Sequence, residues 1–208
     1  MNSVPVTMRL CAAATSVLLA STVPTQSLPD GYAATTVVLP PNAGNVAETP
    51  FGLVWFDGQQ VVLQPATLPS RVLLQLPAPV FGAFTIPLAP DLVLFAESSN
   101  GSIWLLPLAG ATPGAPLTNI VFPFDAAALD AGRIVVSAKV GGFAAPDNEL
   151  LVVDLQTGQA QTLASLPGAS GPVTIAPNGD LVYATASASF PTPPGTTSIL
   201  RFPRATVE

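Results

Sequence analysis

Phe84-Thr-Ile-Pro-Leu-Ala-Pro-Asp-Leu-Val-Leu94 and Val173-Thr-Ile-Ala-Pro-Asn-Gly-Asp-Leu-Val-Tyr183 are one phrase, written twice 89 residues apart without a gap. Each copy is a short apolar strand, a Pro-containing turn that ends in Asp, and a second apolar strand. A third version lies between them, Phe124-Asp-Ala-Ala-Ala-Leu-Asp-Ala-Gly-Arg-Ile-Val-Val136. The offset therefore divides into two steps of about 40–50 residues, the period of a propeller blade. The expected fold class is all-β, a β-propeller or propeller fragment of about four four-stranded antiparallel blades.

Composition agrees with this class. Hydrophobic residues make up 49% of the 208-residue chain and charged residues 9%, which excludes a disordered chain and supplies a core. The 24 Pro and 16 Gly punctuate short Val, Leu and Ile runs, and long helical periodicity is missing, as in sheets joined by tight turns. Beyond the N-terminus no apolar run reaches the ~18–20 residues of a spanning helix, so no membrane span is expected. A net charge of -6 with Lys139 as the sole lysine leaves no basic stripe for phosphates, so nucleic acid is excluded as a partner, and docking on anionic membranes is disfavoured.

Residues 1–33 read as a signal peptide and leader: Arg9, an apolar stretch from Leu10 to Ala20, then Ser, Thr, Pro and Gln. The competing reading is a buried strand or short core helix. Processing after Ala20 and no later than Ala34 would remove Cys11, the only cysteine, and leave no disulfide, thiolate metal site or Cys nucleophile. The expected location is secreted or periplasmic.

Residues 34–208 read as the β-propeller-like repeat domain, whose four irregular blades need not make a complete ring. A strand at 33–39 would precede blade one, which uses 51–56, 61–64 and 72–76. Blade two uses 84–86, 92–95, 102–106 and 119–121; blade three 124–128, 134–138, 150–155 and 161–163; blade four 173–175, 181–185 and 198–202. Asp57-Gly58, Asn100-Gly101, Thr157-Gly158 and Asn178-Gly179 mark tight turns that need a positive φ.

Pro50-Phe-Gly-Leu-Val-Trp-Phe-Asp-Gly58 and Gly171-Pro-Val-Thr-Ile-Ala-Pro-Asn-Gly-Asp-Leu-Val-Tyr-Ala184 resemble the inner-strand and turn signature of NHL-repeat and gluconolactonase (regucalcin-like) propellers. Leu150-Leu-Val-Val-Asp-Leu-Gln-Thr-Gly-Gln159 is similar to a strand-and-turn phrase of the wider propeller class. The resemblance covers most of 51–203 and implies six blades. Four repeats then imply a fragment, a smaller ring, or a ring completed by association, the first being the preferred reading.

The absence of His removes the Ser-His-Asp triad and His-ligated zinc. The resemblance implies a divalent cation, Ca²⁺ or Mg²⁺, held over the central channel by carboxylate and amide oxygens. Glu48, in Glu48-Thr-Pro-Phe-Gly-Leu-Val-Trp55, resembles the family's ligand Glu, with Thr49 in place of Gly. Asp125 opens the inner strand of blade three and is the second candidate, while Gly171-Pro172 stands where the family places Asn. Glu48 weighs more as a solvated loop residue than as a ligand, and Asp125 too weighs less as a ligand than as an ordinary residue.

Asp91 and Asp180 occupy equivalent turns and are expected to accept backbone N–H bonds there. Asp147-Asn-Glu149 lacks the spacing and Gly of a calcium loop and reads as a hairpin tip. Asn100-Gly-Ser102 matches a glycosylation sequon, and Trp55 and Trp104 read as blade-core residues. The leading functional expectation is a secreted, non-enzymatic propeller with no cofactor that presents loops to an unknown protein or small ligand. The alternative is a metal-dependent lactone hydrolase of gluconolactonase type. A streptogramin-inactivating lyase on the same fold comes third, because it would want a His base.

Overall fold

The computed structural model describes residues 39–111, 114–142, 144–185 and 198–207. The leader, Cys11 and nearly all of the strand expected at 33–39 lie outside them. Blade 1 is formed by β1 (Gly44–Thr49), β2 (Gly52–Phe56), β3 (Gln60–Gln64) and β4 (Arg71–Gln75). Blade 2 is β5 (Ala83–Ala89), β6 (Leu92–Glu97), β7 (Ser102–Pro107) and β8 (Thr118–Asn119). Blade 3 is β9 (Pro123–Ala128), β10 (Arg133–Ala138), β11 (Asp147–Asp154) and β12 (Ala160–Pro167). Blade 4 is β13 (Val173–Ile175), β14 (Leu181–Ala184) and β15 (Ile199–Phe202), followed by a single helical turn, α1 (Arg204–Val207).

Every sheet is an antiparallel meander with its strands in sequence order, three of four strands and the last of three. The inner strands begin at residues 44, 83, 123 and 173, so successive blades step by 39, 40 and 50 residues. β1 packs against β5, β5 against β9 and β9 against β13. The three segments expected as equivalent inner strands thus head three separate sheets.

Alternation along each strand sends side chains to two neighbours. Val93 and Phe95 of β6 pack into a core with Val54, Phe56, Val61 and Leu63 of blade 1, while Leu94 and Ala96 join Ile134, Val136 and Ala138 of blade 3. Val135 and Leu150 turn the other way, onto Val173, Leu181 and Tyr183 of blade 4. The Phe56 and Phe95 rings meet across the first interface with centroids 5.0 Å apart, a tilted pair. The described residues therefore form an arc of four blades with three apolar interfaces. The second face of blade 4 carries Thr174, Arg201 and Ile199, all exposed.

Gly58, Gly101, Gly158 and Gly179 have φ of 101°, 72°, 71° and 85°, as their turn dipeptides require. At Gly158 space is limiting as well, because a Cβ there would sit 2.3 Å from the Leu117 carbonyl oxygen of blade 2. Trp55 and Trp104 lie in the blades as expected, their indole N–H groups buried without a hydrogen-bond partner.

Four expectations are corrected. The inner strand of blade 1 is β1, and 52–56 is its second strand. Asn45-Val-Ala-Glu-Thr49 buries only Ala47 and Thr49, too weak an apolar alternation to read as a strand. Asp147-Asn-Glu149 is not a hairpin tip but the start of β11, where Asn148 is fully buried. Asp91 acts through its backbone, its carbonyl accepting from the Leu108 N–H at 2.8 Å. The Asp180 carboxylate reaches beyond its own turn, accepting from the Arg204 N–H at 3.0 Å and from the Arg201 and Asn178 side chains. No helix among the described residues is long and apolar enough to cross a membrane.

Candidate functional site: an aromatic crest on the crossover loops

In this meander the chain enters every inner strand at one end of the arc, and the β2–β3, β6–β7 and β10–β11 loops return there. We call this the crossover end. Its loops are linked by hydrogen bonds that repeat from blade to blade. The Ser98 N–H donates to the Gly82 carbonyl at 2.7 Å, and the Lys139 N–H donates to the Phe122 carbonyl at 3.2 Å. The Ser98 hydroxyl donates to the Pro123 carbonyl at 2.7 Å, and the Ser137 hydroxyl to the Gly171 carbonyl at 2.7 Å.

Gly82 and Phe122 therefore stand at the same place in the repeat, one residue before an inner strand. The place demands a left-handed backbone, with φ of 61° at Gly82 and 47° at Phe122. Glycine adopts it freely, whereas for an aromatic L-residue it costs about 1–2 kcal/mol. Two residues on, the β9–β10 register slips: Ser137 faces Asp125 and Ala138 faces Pro123, so Phe124 is the extra residue of a β-bulge. Bulges re-aim side chains, and Phe124 is 54% exposed. Phe122 is 37% exposed, and Phe81, in the preceding crossover, is 87% exposed. The Phe81 N–H donates to the Ser99 hydroxyl at 2.9 Å, which ties this loop to the β6–β7 loop. With Val121 and Val140 these rings form an apolar crest on adjoining loops.

Behind the crest lies a buried polar network that fixes the blade 3 to blade 4 crossover. The Tyr183 hydroxyl donates to Asn148 Oδ1 at 2.6 Å and accepts from the Gly171 N–H at 3.0 Å. Asn148 Nδ2 donates to the Leu166 and Gly168 carbonyls. Burial raises the Tyr183 phenol above its ordinary pKa, an effect partly offset by the Gly171 amide.

The two metal candidates occupy separate surroundings. Glu48 is exposed on β1, a strand and not a loop, and alternates with Ala47 and Thr49, so it points away from blade 2. Asp125 points toward blade 4, where Oδ2 accepts from the Val173 N–H at 2.8 Å. Burial raises its pKa, with amide hydrogen bonds opposing. The structure does not bring the two together with a third donor, and no group of three or more His, Cys, Asp or Glu able to hold a metal occurs among the described residues. As arranged, Asp125 is a clamp on the next inner strand.

Two cavities beside blades 3 and 4 have volumes of ≈ 90 and ≈ 260 Å³. Both are below the roughly 300–1,000 Å³ of small-molecule pockets. The crest was not read from the sequence. Its one signal is Phe122-Pro-Phe124 at a repeat position where the previous blade has Gly82.

No protein-family model and no curated protein matches the chain. Among solved structures it is similar to TolB from Acinetobacter baumannii, with a TM-score of 0.53 and 17% identity over 76% of this chain and 40% of that one. It is similar to a chain in the nidogen/laminin complex, at 0.52 and 12% identity over 74% of this chain and 62% of that one. The computationally designed Ika4 protein matches at 0.52 and 12% identity, over 77% of this chain and 91% of that one. At such identities the likeness shows the fold alone, a β-propeller. The chain spans less than two thirds of the matched TolB and nidogen/laminin chains.

Proposed function

We propose that the protein is an exported, non-enzymatic β-propeller that binds a protein partner through the crossover end. The observation that carries this reading is the pair of backbone irregularities at Phe122 and Phe124. A left-handed phenylalanine and a bulge both oppose folding stability, yet the bulge carries Phe124 to the surface and Phe122 stays partly exposed beside it. Exposed aromatics on a rigid scaffold are the anchors of protein interfaces. The separation of Glu48 from Asp125 disfavours a lactone hydrolase, whose cation needs several converging oxygen donors.

The test is a photo-crosslinking amino acid placed at Phe81, at Phe124 and, as control, at Asp154 on the opposite end, in the producing cell. A discrete adduct of the exported protein from both crest positions, absent from the control, is expected. Adduct at neither crest position would refute the reading.

A further inference from the structure

Charge is segregated between the two ends of the arc. At or within three residues of the crossover loops lie Asp57, Asp147 and Glu149, with the buried Glu97 and the clamping Asp125 behind them, against Lys139 alone, a formal balance of -4. Arg71, Arg133, Arg201 and Arg204 all belong to the opposite end, which also holds Glu48, Asp91, Asp130, Asp154 and Asp180, a balance of -1. Two of these arginines are tied locally, Arg133 to Asp130 at 2.7 Å and Arg201 to Asp180 at 2.5 Å. The Arg71 guanidinium donates to the Leu108 and Gly110 carbonyls of blade 2. The aromatic crest thus sits on the end that holds most of the net negative charge and no described arginine.

We infer that the crest's partner is a protein segment that inserts apolar side chains between flanking Lys or Arg residues. The inference rests on the docking reading above and adds the partner's chemistry. A second copy of this chain docking crest to crest would set two negative ends against each other, and an anionic membrane would be repelled in the same way. A basic segment gains both terms: the apolar side chains cover Phe81, Phe122 and Phe124, and the cations meet the negative field around them.

The experiment uses fluorescence anisotropy of the purified protein with two short labelled peptides of equal apolar content, one alternating Lys with Leu, the other Glu with Leu, each holding one Trp. The basic peptide should bind, the acidic one should not, and raising salt from about 0.05 M to about 0.5 M should weaken binding at least about tenfold. Phe81→Ser combined with Phe124→Ser, which leaves every charge in place, should cost about tenfold or more, while circular dichroism stays unchanged because both rings are largely exposed. Asp147→Asn with Glu149→Gln should reduce the salt dependence.

Equal binding of both peptides, absence of basic-peptide binding, or basic-peptide binding untouched by the Phe substitutions would overturn the inference. So would self-association in sedimentation, or capture by phosphatidylcholine vesicles, that the Phe substitutions abolish. Adducts from the crosslinking experiment separate the two levels: one mapped to a segment without Lys or Arg overturns this inference and leaves the docking reading standing.

Discussion

Tyr183→Phe is the sharpest test of how the crossover end is held. The substitution removes one oxygen and preserves the ring, so packing against Val173 and Leu181 survives and the cavity left behind is minimal. Its two short hydrogen bonds are lost at once, together with a longer one of 3.3 Å to the Ala169 carbonyl. Asn148 Oδ1, 2.6 Å from the hydroxyl, and the Gly171 N–H, 3.0 Å from it, both become orphaned at a place where Tyr183 and Asn148 are 0% exposed. The Asn148 amide cannot turn to compensate, because its Nδ2 is committed to the Leu166 and Gly168 carbonyls. An unsatisfied buried group costs about 1–3 kcal/mol, so two give about 2–6 kcal/mol, a large share of an ordinary domain's stability. Urea unfolding of wild type and variant measures the difference, and hydrogen exchange at the Gly171 amide locates it. Because burial raises the phenol's folded pKa above its unfolded value, wild-type stability is full below about pH 10 and falls as pH rises further; the variant lacks that fall. A loss under about 0.5 kcal/mol with unchanged exchange at Gly171 would refute the reasoning.

Asp125→Asn retains an acceptor for the Val173 N–H and removes a charge whose burial raises its pKa; the wild type should therefore gain stability relative to the variant as pH falls through the folded pKa toward the unfolded one, and thermal melts between neutral and acid pH check this. Gly158→Ala meets a φ of 71° and a Cβ 2.3 Å from the Leu117 carbonyl oxygen, so it should destabilise by about 2 kcal/mol or more in urea unfolding, whereas Gly142→Ala, with φ of 92° and open space around it, pays the backbone cost alone. Calorimetric titration with Ca²⁺ and Mg²⁺ should show only weak binding, and a lactonase assay no turnover for wild type or Glu48→Ala; micromolar binding with turnover abolished by the substitution would restore the hydrolase reading.

The class of fold was legible along the chain because propeller blades are built from local instructions. A strand, a turn that needs positive φ and a second strand lie within a dozen residues of one another, and Asp57-Gly58, Asn100-Gly101 and Asn178-Gly179 name their turns by stereochemistry alone. The repeat at Phe84, Phe124 and Val173 set the blade spacing for the same reason. Other features depend on what distant residues do. β1 is a strand because β2 and β5 lie beside it, although Asn45-Val-Ala-Glu-Thr49 has little apolar alternation of its own. Asn148 looked like a solvated loop residue, and it is buried because Tyr183 and two carbonyls reached by chain return satisfy its amide. Whether Glu48 and Asp125 could share an ion is a matter of which blade face each strand register assigns them. The crest is the clearest case: Phe122 and Phe124 have the composition of a buried inner strand, and only the left-handed turn and the register slip against Ser137 and Ala138 carry them outward. Local stereochemistry is written in neighbouring residues, while burial and convergence are set by residues that meet only after the blades have packed.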